Sequence, residues 1–313
     1  MVPDGAVLVA NGKQALSLVA QQLRAGGVRT VLAPDFYCLT MIEPFQLEGL
    51  RVRHLPTDAQ ALMKAEDLRS AMAEDPHQAV LHCEVFGARA GEALLAALSD
   101  ARTDGLPVVV DATHSLLADT HDPGDYLVAS LRKLLPVPDG GFALGVGPPA
   151  LRERAAADEA ATRLALTALE LGQLCKPSQA STPAYLDALG AAEQAMLDAL
   201  RPVPMSEISL RLLRQLDVQS WRGSRRAHAR ELIEWLTSSG LTVLNPDTPE
   251  CGVVVRVQDA PAAEQVLLEA GIVCPISWPR PEGLPKAAPW RSDLLTLPVD
   301  CMPCLRQVRL AGP

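Results

Sequence analysis

The chain has 313 residues, which at roughly 150 residues per domain predicts two domains. Hydrophobic residues make up 48% and charged ones 21%, ordinary for a folded soluble protein, and the 4% that are aromatic leave the core to Leu, Ala and Val. A net charge of −9 argues against nucleic-acid and anionic-membrane surfaces, which need a basic patch, but not against a local basic pocket. The opening MVPDGAVLVANGKQ has no basic stretch leading into an apolar core, so no signal peptide is expected. No apolar run reaches the ~18 residues of a membrane span. The seven cysteines are odd in number and mostly isolated, which predicts free thiols in a reducing cytoplasm. Cys301 and Cys304 form a CxxC with no second pair or nearby His, so no metal site is expected.

Along the chain, a helix is predicted over 12–26, then strands at 30–34 and 52–55, a helix over 65–75, a strand at 79–83, a helix over 91–103, and strands at 107–111 and 126–130. The helical stretches repeat apolar residues every three or four positions. Several strands are apolar without interruption, as strands buried on both faces are. Strand–helix–strand order of this kind predicts an α/β fold with a mostly parallel sheet flanked by helices. Residues 149 to about 200 read as helical, with a break at 176–183; a Pro-flanked segment, 201–207, then precedes a helix over about 207–239. Strands at 241–244, 252–257 and 294–299 and a helix over 261–271 predict a small α+β domain. The expected division is a large domain over 1–203 and a small C-terminal domain over 204–313.

The chemistry concentrates between Pro107 and Gly141. The strand VVVD ends on Asp111, and His114 follows three residues later; parallel α/β sheets bind ligands at that edge. Alone, Asp111 is as well explained as a turn cap and His114 as a surface residue. The strand YLVAS ends on Ser130, with Arg132 and Lys133 directly after it and Gly140-Gly141 seven residues beyond the lysine. A lysine among Leu131, Leu134 and Leu135 is open to desolvation, which lowers an amine's pKa and suits it to Schiff-base chemistry. The plainer alternative is a surface lysine beside a surface arginine. Gly12 opens the first helix after Asn11, and a helix N-terminus offers unpaired N–H groups to an anion, with Lys13 and Gln14 alongside. It serves equally as an Asn-capped amphipathic helix.

Taken together, GKQAL, PDFYC, DATHS, SLRK and DGG, closing with SDLLTLPVD (292–300), resemble the DegT/StrS-type aminotransferases of pyridoxal-phosphate fold type I, over essentially the whole chain. The resemblance implies a large cofactor domain with a small C-terminal α+β domain. It implies pyridoxal 5'-phosphate bound to Lys133, with Asp111 on the pyridine nitrogen, His114 on the ring oxygen, and Ser130 and the Gly12-Lys13-Gln14 helix start on the phosphate. It puts an aromatic ring of PDFYC against the cofactor; counting back from Gly49 favours Tyr37, whereas anchoring on Pro34 selects Cys38. Arg132 is then a further cofactor contact. The SLRK spacing is shorter than the family's Ser-to-Lys interval.

The implied activity is amino transfer to a carbonyl substrate: a sugar, a cyclitol or a specialised-metabolite precursor. Asp111 and Lys133 would equally serve elimination, β- or γ-substitution, or decarboxylation, and a non-catalytic relative of the fold is a third reading. Arg89, Arg280 and Arg291 are candidates for a substrate carboxylate, since the planar guanidinium matches one, and each is otherwise a surface arginine. Trp278 and Trp290 flank the same loop. The family builds its active sites at a dimer interface, which implies a homodimer acting on small molecules, and the isolated cysteines put it in the cytoplasm.

Overall fold

The computed structural model describes residues 2–149, 151–174, 183–199, 201–281, 290–299 and residue 305. Its first half alternates strand and helix: β1 (Val7–Val9), α1 (Gly12–Ala25), β2 (Thr30–Pro34), α2 (Leu39–Leu47), β3 (Arg51–Leu55), α3 (Ala65–Met72), β4 (Gln78–Cys83), α4 (Glu92–Thr103), β5 (Val108–Asp111), β6 (Tyr126–Ser130) and β7 (Gly141–Leu144). Among the described residues these strands form one seven-stranded sheet in the order β1-β7-β6-β5-β4-β2-β3. Neighbours from β3 through β6 pair in parallel, while β7 runs antiparallel to both β1 and β6.

Residue pattern and position in the sheet agree. β2, β4 and β5 lie inside the sheet and every residue in them is buried. β3 lies at an edge and exposes Arg51 and Arg53, charges that discourage further strand pairing. Side chains alternate across the sheet. Val31 and Ala33 pack with α1 and α2 on one face, whereas Leu32 packs with α3 and α4 on the other. Full burial of a leucine such as Leu32 or Leu98 is worth about 1.5–3 kcal/mol each.

The second half contains α5 (Ala156–Leu174) and α6 (Pro183–Asp198), which pack on each other, then α7 (Glu207–Gln215), α8 (Val218–Ser238), β8 (Val253–Arg256), α9 (Ala260–Glu269) and β9 (Leu294–Leu297). β8 and β9 pair antiparallel, and Val253, Val255, Leu295 and Leu297 share a separate core with Leu232 and Leu236 of α8 and Leu267 of α9. This is the expected architecture: a mostly parallel sheet between helices, with a smaller α+β element after it.

Four details differ from the sequence reading. The single helix expected over 207–239 is two, because Leu216 is extended and Asp217 caps a fresh start by accepting from the Ser220 amide. The strand expected at 241–244 reduces to one bridge, Val243 to Val255. β1 and β7 are too short for periodicity to reveal. α2 was hidden by Pro44, which lies inside it, and by Cys38, which makes no side-chain cap. The break expected at 176–183 falls almost wholly, and Cys301 and Cys304 entirely, outside the described residues. Among the described residues no helix is long and apolar enough to cross a membrane.

Candidate active site

The strand pairing brings distant residues to one edge of the sheet. Asp111 ends β5 beside Cys83 at the end of β4, and Ser130 ends β6 opposite Gly141, which also faces Val9 at the end of β1. A cavity of about 290 Å³ opens at this edge. Asp111, His114, Ser130, Arg132, Lys133, Gly12 and Lys13 all line it, with Cys38, Glu84, Thr113, Glu193 and Trp278.

The helix start is built against Ser130. Asn11 caps α1 by accepting from the Gln14 amide at 2.9 Å, leaving the Gly12 and Lys13 amides at the cavity wall without intrahelical acceptors. A side chain on Gly12 would place its Cβ 2.9 Å from Ser130 Cβ, and one on Gly141 would meet the Asn11 carbonyl carbon at 2.5 Å. Both glycines therefore serve a close approach of α1, β6 and β7. The Ser130 amide donates to Thr113 Oγ1 at 3.1 Å, and the Ser130 hydroxyl has no hydrogen-bond partner among the described residues.

Asp111 accepts from the Thr113 amide at 2.9 Å and forms no ion pair among the described residues. Burial raises its pKa above the ordinary value; hydrogen bonds from Thr113 pull back and the Glu84 charge pushes further up. His114 Nδ1 accepts from the Phe86 amide at 3.1 Å, and its ring stacks with Trp278 at 5.6 Å between centroids. Burial, helped by the Lys133 charge, pushes the His114 pKa down to about 3. His114 is thus neutral near pH 7, and with Nδ1 accepting, its proton sits on Nε2 as a donor. Phe86 holds φ 58, a left-handed conformation costly for an aromatic residue, and so presents its amide to His114 while its carbonyl accepts from Asn245.

Lys133 ends a short 3₁₀ turn after β6. Its side chain keeps 42% exposure because it looks into the open cavity, while protein closes round it elsewhere. That crowding, ahead of the neighbouring Arg132 charge, lowers its pKa. Arg132 pairs with Glu193, and its buried Nε has no hydrogen-bond partner among the described residues.

Other expected site residues stand elsewhere. The Gln14 side chain donates to the Ala199 carbonyl and accepts from the Val203 amide, tying α1 to the chain after α6 outside the cavity lining. Tyr37 also stays out of the lining, its ring stacked on His54 at 4.3 Å; Cys38 occupies the cavity wall instead. Lys13 lines the cavity, yet its Nζ is engaged by Glu43 at 2.7 Å and the Leu197 carbonyl at 2.8 Å. The three substrate arginines are not in the lining. Arg89 binds Asp122 and Glu84, Arg291 binds Asp293 and the Asp58 carbonyl, and Arg280 is exposed. Sequence reasoning missed Glu84 and Glu193. Glu84 follows a buried strand end just as Asp111 ends one, so the same rule would have found it. Glu193 sits in an Ala-rich helix 61 residues from Arg132 and had no local signal.

No protein-family model matches the chain, and no curated protein matches it. Solved structures do. A DegT DnrJ EryC1 StrS aminotransferase from Brucella abortus superposes with a TM-score of 0.59 at 18% identity, covering 94% of this chain and 80% of that one. The PLP form of the putative sugar aminotransferase Spr1654 from Streptococcus pneumoniae gives 0.61 at 17% identity, covering 94% and 81%. Helicobacter pylori PseC, an aminotransferase involved in the biosynthesis of pseudoaminic acid, gives 0.60 at 11% identity, covering 96% and 86%. The chain has the fold of these aminotransferases. In the aminotransferase fold as this chain builds it, the cavity described above lies at the carboxyl edge of the parallel strands, where α/β sheets bind ligands.

Proposed function

We propose that this chain is a pyridoxal-phosphate-dependent aminotransferase that passes an amino group to the carbonyl carbon of a sugar, a cyclitol or a specialised-metabolite precursor. The observation that carries the reading is the convergence in one cavity of an accessible amine, a buried carboxylate without a cation, a neutral histidine donor and an uncovered helix N-terminus. The superposable proteins add support, since they are themselves aminotransferases, one of them in a PLP form.

The residues present fit the cofactor. The Ser130 hydroxyl and the Gly12 and Lys13 amides at the start of α1, which packs against Ser130, offer an anion site of the kind a phosphate fills. The cofactor, when bound, supplies a carbonyl for a lysine and a ring that draws electrons from the substrate carbon. Asp111, a carboxylate that lacks a cation, would hold the proton on the ring nitrogen. His114 would donate from Nε2 to the ring oxygen. The Lys133 amine would be the point at which the cofactor is held and the group that moves a proton at the substrate carbon. Trp278 and Ile276, from the chain between α9 and β9, add apolar surface to the cavity wall.

We further propose a cytoplasmic homodimer with shared sites. Leu39 and Leu47 of α2, each 54% exposed on a helix whose first turn lines the cavity, support this as apolar surface for a second copy.

The test begins with the purified protein incubated with pyridoxal phosphate, reduced with borohydride and mapped by peptide mass. The cofactor is expected on Lys133, and Lys133→Ala is expected to abolish both the label and the visible band. An amino donor should then convert the visible band to that of the amine form. Wild-type protein that never takes up the cofactor would overturn the reading; uptake without conversion by any donor would overturn amino transfer.

A further inference from the structure

One acid in the cavity belongs neither to the sheet edge nor to the C-terminal element. Glu193, on α6, meets Arg132 in a two-pronged pair, Nη1 to Oε1 at 2.5 Å and Nη2 to Oε2 at 2.9 Å. The same Oε2 stands 3.9 Å from Lys133 Nζ. Burial works against the Glu193 carboxylate, but the Arg132 hydrogen bonds and charge, with Lys133 behind them, hold its pKa at about 2. It is therefore ionised throughout the neutral range.

Among the described residues, the lysine feels Arg132 from its own turn, Glu193 from α6 and Cys38 from the start of α2, and its charge acts in turn on His114 from the turn after β5. His114 is neutral, so Arg132 and Glu193 supply the full charges, and their signs oppose. Arg132 alone would repel the ammonium form. Glu193 alone would hold that form and blunt the amine as a nucleophile.

We propose that Glu193 is a positioning residue for Lys133, a counter-charge brought in by α6 that balances Arg132 across the amine. The helix pair α5–α6 thereby takes part in the site: α6 sets the charge around a lysine that the sheet edge places. The functional meaning rests on Lys133 being the cofactor lysine; the charge balance itself does not.

The experiment uses the full chain without cofactor. Lys133 is labelled by reductive methylation with formaldehyde and cyanoborohydride across a pH series, and the extent is read by peptide mass. Glu193→Gln is expected to move the labelling midpoint down by about one pH unit, and Arg132→Gln up by a similar amount. The double variant should return close to wild type. A structural role alone would not give shifts of opposite sign. Midpoints that stay put, or move the same way in both variants while circular dichroism shows an intact fold, would overturn the proposal. If Glu193→Gln does not fold, Arg132→Gln decides: an upward shift supports the balance and an unmoved midpoint overturns it. Opposite shifts in a protein that never takes up pyridoxal phosphate would leave this inference standing and sink the proposed function. Uptake of the cofactor with unmoved midpoints would do the reverse.

Discussion

Two buried charge clusters lie side by side at the same sheet edge, and they differ in one respect. In the first, Asp122 accepts from the Ala90 amide at 2.9 Å and pairs with His82 at 2.8 Å and Arg89 at 2.9 Å. Its own amide donates to Glu84 at 2.6 Å, and Glu84 also takes the Ser115 hydroxyl and His121 at 2.9 Å. Every carboxylate oxygen there has a partner inside the chain. In the second, the cavity, among the described residues Asp111 has no cation, the Ser130 hydroxyl has no hydrogen-bond partner, and the buried Arg132 Nε has none either. The residue types are alike. Groups satisfied within the chain hold the fold together, whereas groups left incomplete at a cavity mark a place for a ligand. Arg89 illustrates the point: its guanidinium is consumed by the first cluster, so it is not available to a substrate.

The comparison is broken most forcefully at Asp122. Asp122→Ala leaves the buried His82 ring without its partner and takes from Arg89 one of its two acids, Glu84 remaining, and urea unfolding is expected to show a loss of about 1–3 kcal/mol, the cost of leaving a buried polar group unsatisfied. The folded fraction should still take the cofactor on Lys133. A loss near zero would erase the distinction between the clusters.

Acid should act next, through His114. Unfolded, its imidazole gains a proton below about pH 6.5; folded, it does not until about pH 3. The unfolded chain therefore binds more protons in that window, and this group's contribution to stability is complete above it and declines as the pH falls through it. The slope is at most about 1.4 kcal/mol per pH unit. His114→Gln, which removes the titration and keeps a donor, should flatten the pH dependence of urea unfolding between those values.

The smallest effect on the cofactor-free protein is expected at Asp111. Its raised pKa means that the ionised carboxylate costs stability at neutral pH, so Asp111→Asn should leave unfolding unchanged or improve it by up to about 1 kcal/mol. The gain in melting temperature on adding pyridoxal phosphate should shrink, because the amide offers the ring no charge. A variant that melts far lower without cofactor would move Asp111 into the structural cluster.

Local pattern was enough for much of this molecule. Uninterrupted apolar runs in β2, β4, β5 and β6 and the periodic faces of α1, α3 and α4 were legible because helix and strand periods are local properties. Chain order also put Asp111, Ser130 and Lys133 at or just past strand ends, but their expected roles came only from the resemblance to the DegT/StrS-type aminotransferases, because each alone reads as a cap or a surface residue. What only the tertiary structure decided is which side chains meet across long separations. Tyr37 went to His54 and left the cavity wall to Cys38, because one residue's difference in a turn reverses the face presented. Arg89 and Arg291 found acids, and Gln14 found the backbone after α6. Glu193 reached Arg132 and Lys133 from a helix whose sequence carries no trace of that contact. A charge announces its type in the sequence, but its partner is settled only when packing brings the two together and removes the water between them.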